Sequence, residues 1–139
     1  MSKYDSENIF AKILRNEVPS IRLYEDEETL SFMDIMPRSD GHCLVIPKTP
    51  CRNLLDARPE QLESAILTVQ KLSRAVMRAF DATGVTVQQF NEAAGGQEVF
   101  HLHFHILPRY EGIGLRPPGN MVEKDFLHVQ AEKIRAALE

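Results

Sequence analysis

Three histidines recur at alternate positions, His101, His103 and His105, inside the run Val99-Phe100-His101-Leu102-His103-Phe104-His105-Ile106-Leu107. Alternation is the period of a β-strand, so the run predicts a strand over Phe100 to Leu107. Its three imidazoles share one face, about 7 Å apart, and Phe100, Leu102, Phe104 and Ile106 share the other. Each imidazole carries two polar nitrogens that need partners, so a row of three is not a core pattern. Three uses fit such a row. It can be a solvated strand face. It can be a metal site, with H-x-H ligating zinc and His42 adding a nitrogen, although no Cys or acidic ligand stands at a matching spacing. It can serve covalent catalysis, in which one neutral imidazole attacks while its neighbours fix its tautomer and orientation. The residues just upstream favour the third. Gly95-Gly96 lets backbone N–H groups approach a ligand, and Asn91 adds an amide. Backbone donors beside a histidine row suit a phosphate-like group whose charge grows in the transition state.

The rest of the chain supplies elements that could position these groups. Asp5 or Ser6 caps a first helix carrying Ile9, Phe10, Ile13 and Leu14 on one face, and Asn16 to Pro19 ends it. Ile21–Tyr24 and Thr29–Asp34 read as a hairpin around Glu25–Glu28. His42–Ile46 is a third strand closed by Pro47. Pro59 opens a long helix in which Leu62, Ile66, Val69, Leu72, Val76 and Phe80 recur at helical spacing, and Gly84 stops it. Val85–Asn91 precedes the histidine strand. Gly112–Gly119 is irregular, and Glu123–Leu138 forms a terminal helix. Short connections make the pairing antiparallel. The expected fold class is α+β, a five-stranded antiparallel sheet with helices against one face.

Composition narrows the function classes. The 139 residues suit a single domain, 1–139, and 43% hydrophobic with 26% charged residues is a globular balance. A net charge of −4 is poor for tracking a nucleic-acid polymer. The longest apolar run, Cys43–Ile46, is far too short for a membrane span. Cys43 and Cys51 form no C-x-x-C pair, which argues against a disulfide framework or a Cys-rich zinc site. With no apolar leader after Met1, the expected localisation is cytoplasmic.

The run His101-Leu102-His103-Phe104-His105-Ile106-Leu107 resembles the signature of the histidine triad (HIT) family, His-φ-His-φ-His-φ-φ with φ apolar. The likeness extends over about 9–110, leaving a variable tail at 111–139. Asn8–Ile13 is similar to the family's opening helix, Phe32–Ile35 and Gly41–Lys48 to two of its strands, and Asn91–Glu98 to its phosphate loop. The resemblance implies nucleotidyl hydrolase or transferase chemistry at the α-phosphate of a purine nucleotide. It implies His103 as nucleophile, His105 on the phosphate, and His101 and His42 in a hydrogen-bonded chain that orients His103. It further implies Asn91, Gly96, Gln97 and Glu98 around the phosphate and Asp34 on the ribose. Ile9, Phe10, Ile13, Phe32 and Ile35 would form the purine slot, with core packing as the other reading of Ile13. A homodimer with a ten-stranded sheet and no cofactor are expected. Some relatives hold a structural zinc where this chain has Asn8, Ala11 and Pro50, so no metal is expected. The nucleoside phosphoramidase branch often carries serine where Glu98 stands, and that serine is linked to protonation of the leaving group. Phosphoramidase-like action is the favoured reading. Dinucleoside polyphosphate hydrolysis and non-catalytic nucleotide binding are the alternatives.

Overall fold

The computed structural model describes residues 3–138. In chain order the elements are α1 (Ile9–Leu14), β1 (Arg22–Glu25), β2 (Thr29–Met33), β3 (Cys43–Pro47), α2 (Pro59–Ala79), β4 (Gly84–Gln88), a 3-10 turn (Ala93–Gly95), β5 (Phe104–Arg109) and α3 (Lys124–Ala137). The five strands form one sheet in the order β1-β2-β3-β5-β4, and every pairing is antiparallel. This is the α+β class expected from the sequence. Among the described residues no helix is long and apolar enough to cross a membrane.

Alternation along the central strands sends their side chains to two cores. Met33, Cys43, Val45 and Ile106 meet Val69, Leu72 and Val76 of α2 and Leu127, Ala131 and Ile134 of α3. Leu30, Phe32, Leu44 and Ile46 point the other way, onto Phe10 and Ile13 of α1. The helices therefore do not all lie against one face. The short α1 covers the opposite one, and that is the side on which the histidines gather.

Several boundaries differ from the sequence reading. Asn8 caps α1, its Oδ1 accepting the Ala11 N–H at 2.9 Å, while Asp5 shapes the turn before it by accepting Glu7 N–H at 2.8 Å. Helix α2 stops at Ala79 and not at Gly84; Asp81, at φ 49°, takes the left-handed turn, and Gly84 opens β4. The predicted histidine strand is shorter than its alternation suggests. Pairing with β3 ends at Val45↔Phe104, so His101 and His103 precede β5 and only His105 lies in it. Next in line on β3 come Ile46 and Pro47, and Pro47 has no N–H to offer a ladder. Leu102 N–H instead donates to Cys51 O at 2.9 Å. Side-chain alternation survives without the ladder, because Leu102, Phe104 and Ile106 all enter the core with α2. Phe100 does not; it lies under the Arg52 guanidinium, 4.1 Å from the ring centroid.

The tail is fastened to the loop after β2. Arg116 N–H donates to Arg38 O at 2.8 Å, Arg38 Nε returns a bond to Arg116 O at 2.8 Å, and Val122 N–H reaches Ile35 O at 3.3 Å.

Candidate active site

A cleft of about 400 Å³ opens between α1, the end of β2 and the histidine segment. Ile9, Phe10 and Ile13 come from α1, and Phe32, Asp34, Ile35, Arg38 and His42 from β2 and the loop after it. Gly96, Glu98, His103 and His105 close it. Its size and mainly apolar lining with a few polar groups are those of a small-molecule site. Ile13 lines the cleft and is also 6% exposed within the α1 core, so it packs in the core and faces the cleft at once.

The hydrogen bonds fix the ring tautomers. His103 Nδ1 lies 2.7 Å from the main-chain oxygen of His101. A carbonyl only accepts, so Nδ1 carries the proton and Nε2 is the bare nitrogen. Burial lowers the pKa of His103, against opposing contributions from that carbonyl and from Asp34, which keeps the ring neutral. Phe10 and His105 pack edge-on against it, at centroid distances of 4.9 and 5.1 Å.

His42 reads the other way round. Its Nδ1 accepts the Arg38 N–H at 3.0 Å, so its proton sits on Nε2, which donates to His105 Nδ1 at 3.0 Å. His105 is thereby left with its proton on Nε2, as a donor. Burial holds His42 at about 4, helped by the Arg38 and Arg116 charges, and burial with the neighbouring His103 and His42 holds His105 at about 3. Asp34 Oδ1 accepts Met36 N–H at 2.8 Å, and Oδ2 stands 3.4 Å from His42 Nε2.

The single histidine chain expected from the resemblance is thus two units. His42 bonds to His105 and not to His103. His101 reaches His103 through its carbonyl and not through its ring, which is buried, outside the cleft, between Pro47 O and Tyr4. Asp34, His42 and His105 are the one trio among the described residues whose ligand atoms converge enough to hold a metal, within 4.8 Å. The donor chemistry does not fit. With Nδ1 taken by the Arg38 N–H, His42 Nε2 holds a proton and has no lone pair for an ion.

Two residues expected at the phosphate support the loop from behind. The Gln97 amide, 4% exposed, accepts from Asn53 Nδ2 and Glu92 N and donates to Arg52 O and Val99 O, all within 3.0 Å. It has no capacity left for a ligand. Asn91 is turned to Leu54 N–H and Gln89 and does not line the cleft. Gly96 does line it, at φ 97°, and a Cβ there would sit 3.2 Å from the Phe90 ring. Arg52 and Asn53 were invisible to sequence reasoning. Arg52 grips Glu92 through Nε at 2.8 Å and Nη2 at 3.0 Å, and the fully buried Asn53 adds a bond at 2.6 Å. Glu92 is pinned there at φ 64°, a conformation costly for a side-chain-bearing residue. A polar Arg-Asn pair between apolar segments was the only signal available.

Residues 15–112 match the HIT domain model. The chain belongs to the histidine triad family. A solved structure of a Hit-like protein from Bartonella henselae, described as involved in cell-cycle regulation, superposes with a TM-score of 0.93 at 57% identity, covering 98% of this chain and 100% of that one. The adenosine 5'-monophosphoramidase of Candida albicans is 33% identical over 137 residues, covering 94% of this chain and 90% of that protein. The adenylylsulfatase of Arabidopsis thaliana is 36% identical over 110 residues, covering 79% of this chain and 56% of that protein. The HIT signature falls on the histidines whose tautomers the fold has set.

Proposed function

We propose that this HIT protein is a purine nucleotide hydrolase or nucleotidyl transferase acting at the α-phosphate, with phosphoramidase-like action as its main activity. The observation that carries the reading is the His103 Nδ1–H bond to His101 O, which leaves a neutral ring with a bare Nε2 in a cleft of nucleotide size. The similarity to relatives named for adenosine monophosphoramidase and adenylylsulfatase activity supports the same class.

In this reading the purine enters between Ile9, Phe10, Ile13, Phe32 and Ile35, and Asp34 accepts from the ribose hydroxyls. His103 Nε2 attacks phosphorus, and the amine leaves and takes a proton from water in the open cleft. The ring becomes a nucleotidyl-imidazolium whose Nδ1–H charge is shared with His101 O. The His105 N–H stabilises the growing phosphoryl charge; the Gly95, Gly96 and Gln97 N–H groups are spent inside their own turn on Glu92 O and Ala93 O. Water then displaces the nucleotide and returns Nε2 to its bare state. Asn91 and Gln97 act indirectly, by holding the loop.

Replacing His103 with Ala should abolish turnover of adenosine 5'-phosphoramidate while leaving AMP affinity within a few-fold; undiminished turnover would sink the reading. One observation favours dinucleoside polyphosphates as a second substrate class. Arg38 lines the cleft, and its terminal nitrogens carry no hydrogen bond among the described residues. Parallel assays of the two substrates separate the classes. The exposed Ile66 and Leu67 on α2, with Val87 on the edge strand β4, support a homodimer joined across that edge. The small acidic chain with its two buried free thiols suits the cytoplasm.

A further inference from the structure

The segment that presents His103 has no strand partner, since pairing of β5 starts only at Phe104. Its backbone must be held by other means. Leu102 N–H reaches Cys51 O at 2.9 Å. The second hold is the His101 ring, which is fully buried. His101 Nε2 lies 2.8 Å from Pro47 O, so it carries the ring proton, and Nδ1 is an acceptor. That acceptor takes the Tyr4 hydroxyl at 2.6 Å, and the two rings meet edge to face at 68°. Tyr4 stands before α1, outside every regular element, and 97 positions from its partner. The carbonyl of the same His101 fixes the His103 tautomer.

We propose that Tyr4 is a positioning residue for His103: its hydroxyl locks the buried His101 ring, and through that residue the carbonyl that keeps the His103 proton on Nδ1. The inference rests on the reading of His103 as nucleophile. Without the hydroxyl, His101 Nδ1 is a buried acceptor with nothing to accept. The ring then gains by tilting away from its place under Pro47 O, and the residue 101 carbonyl moves with it. His103 loses its fixed acceptor and populates the form with the proton on Nε2. That form has no lone pair on Nε2 with which to attack.

A purely structural Tyr4 would dock the N-terminal segment and nothing more. Its loss would lower stability and leave the His103 proton where it was. The distinguishing variant is Tyr4→Phe, which keeps the ring and removes the donor. The readout is the long-range ¹H–¹⁵N spectrum of the histidine rings in the full chain at neutral pH, alongside kinetics with adenosine 5'-phosphoramidate. The unsubstituted protein should show His103 as the Nδ1–H tautomer alone, and Tyr4→Phe should show a mixture. In Tyr4→Phe kcat should fall about tenfold with KM within twofold. Tyr4→Leu, which also removes the ring, should give the same tautomer mixture with a larger loss in Tm. An unchanged His103 tautomer in both variants overturns the inference, whatever the kinetics. Absence of turnover in the unsubstituted protein would overturn the catalytic reading alone, because the tautomer readout does not depend on activity.

Discussion

Acid should unfold this protein through its site. His42 and His101 are held at about 4 and His105 at about 3, chiefly by burial, whereas an unfolded-chain histidine titrates near 6.5. The folded state therefore binds fewer protons than the unfolded chain between pH 6.5 and about 4, and stability falls as pH falls through that window. From pH 7.5 to 5, one such histidine costs about 2 kcal/mol, and the three together cost about 6 kcal/mol. A domain has roughly 5–15 kcal/mol in all, so the protein should stand near its unfolding limit at pH 5, before most carboxylates titrate. Urea unfolding at pH 7.5, 6.5, 5.5 and 5.0 measures this directly. The midpoint should drop steadily below pH 6.5. His105→Gln should flatten the slope by one proton's worth, about 1.4 kcal/mol per pH unit. A total loss under about 2 kcal/mol, or a midpoint that rises with acid, would refute the account of neutral, buried histidines.

Other perturbations test the supports. Gln97→Met removes four hydrogen bonds and strands two carbonyls, a backbone N–H and one N–H of the Asn53 amide, whose other bond to Glu92 remains; denaturation should show a loss of about 4 kcal/mol, and a loss under about 1 kcal/mol would contradict the buried network. Asp34→Asn should raise KM for a ribonucleotide substrate about tenfold and leave KM for the 2',3'-dideoxy analogue unchanged, since only the former has hydroxyls to donate. Leu67→Glu on the exposed face of α2 should convert the proposed dimer to a monomer in solution mass measurements; an unchanged mass would place the dimer elsewhere or remove it.

What the sequence made legible was set by periodicity. Long α2, the terminal helix and all five strands announce themselves through apolar spacing, although α2 stops at Ala79, short of Gly84, and β5 starts only at Phe104. The histidine row alternates like a strand along its whole length because alternation persists in any extended segment, whether or not a partner strand lies beside it. Only the missing Pro47 N–H and the Cys51 carbonyl decide where the ladder stops, and both belong to another part of the chain. The same limit explains the division of labour among the histidines. Spacing puts His101, His103 and His105 together but says nothing of the Pro47 carbonyl, the His101 carbonyl or the Arg38 N–H, which assign the ring protons. Gln97 stands in the middle of the loop motif and still faces inward, because Asn53 and the Glu92 backbone capture its amide. Long-range polar contacts of this kind leave no periodic trace.

In the proposed reaction His103 Nε2 attacks phosphorus. Rapid quenching of the protein with excess adenosine 5'-phosphoramidate, followed by intact mass and peptide mapping, tests it most directly. The protein should gain one adenylyl group within a single turnover, mapped to His103 and lost on acid treatment. An adduct on another residue, or steady turnover with no adduct at any time point, would contradict it.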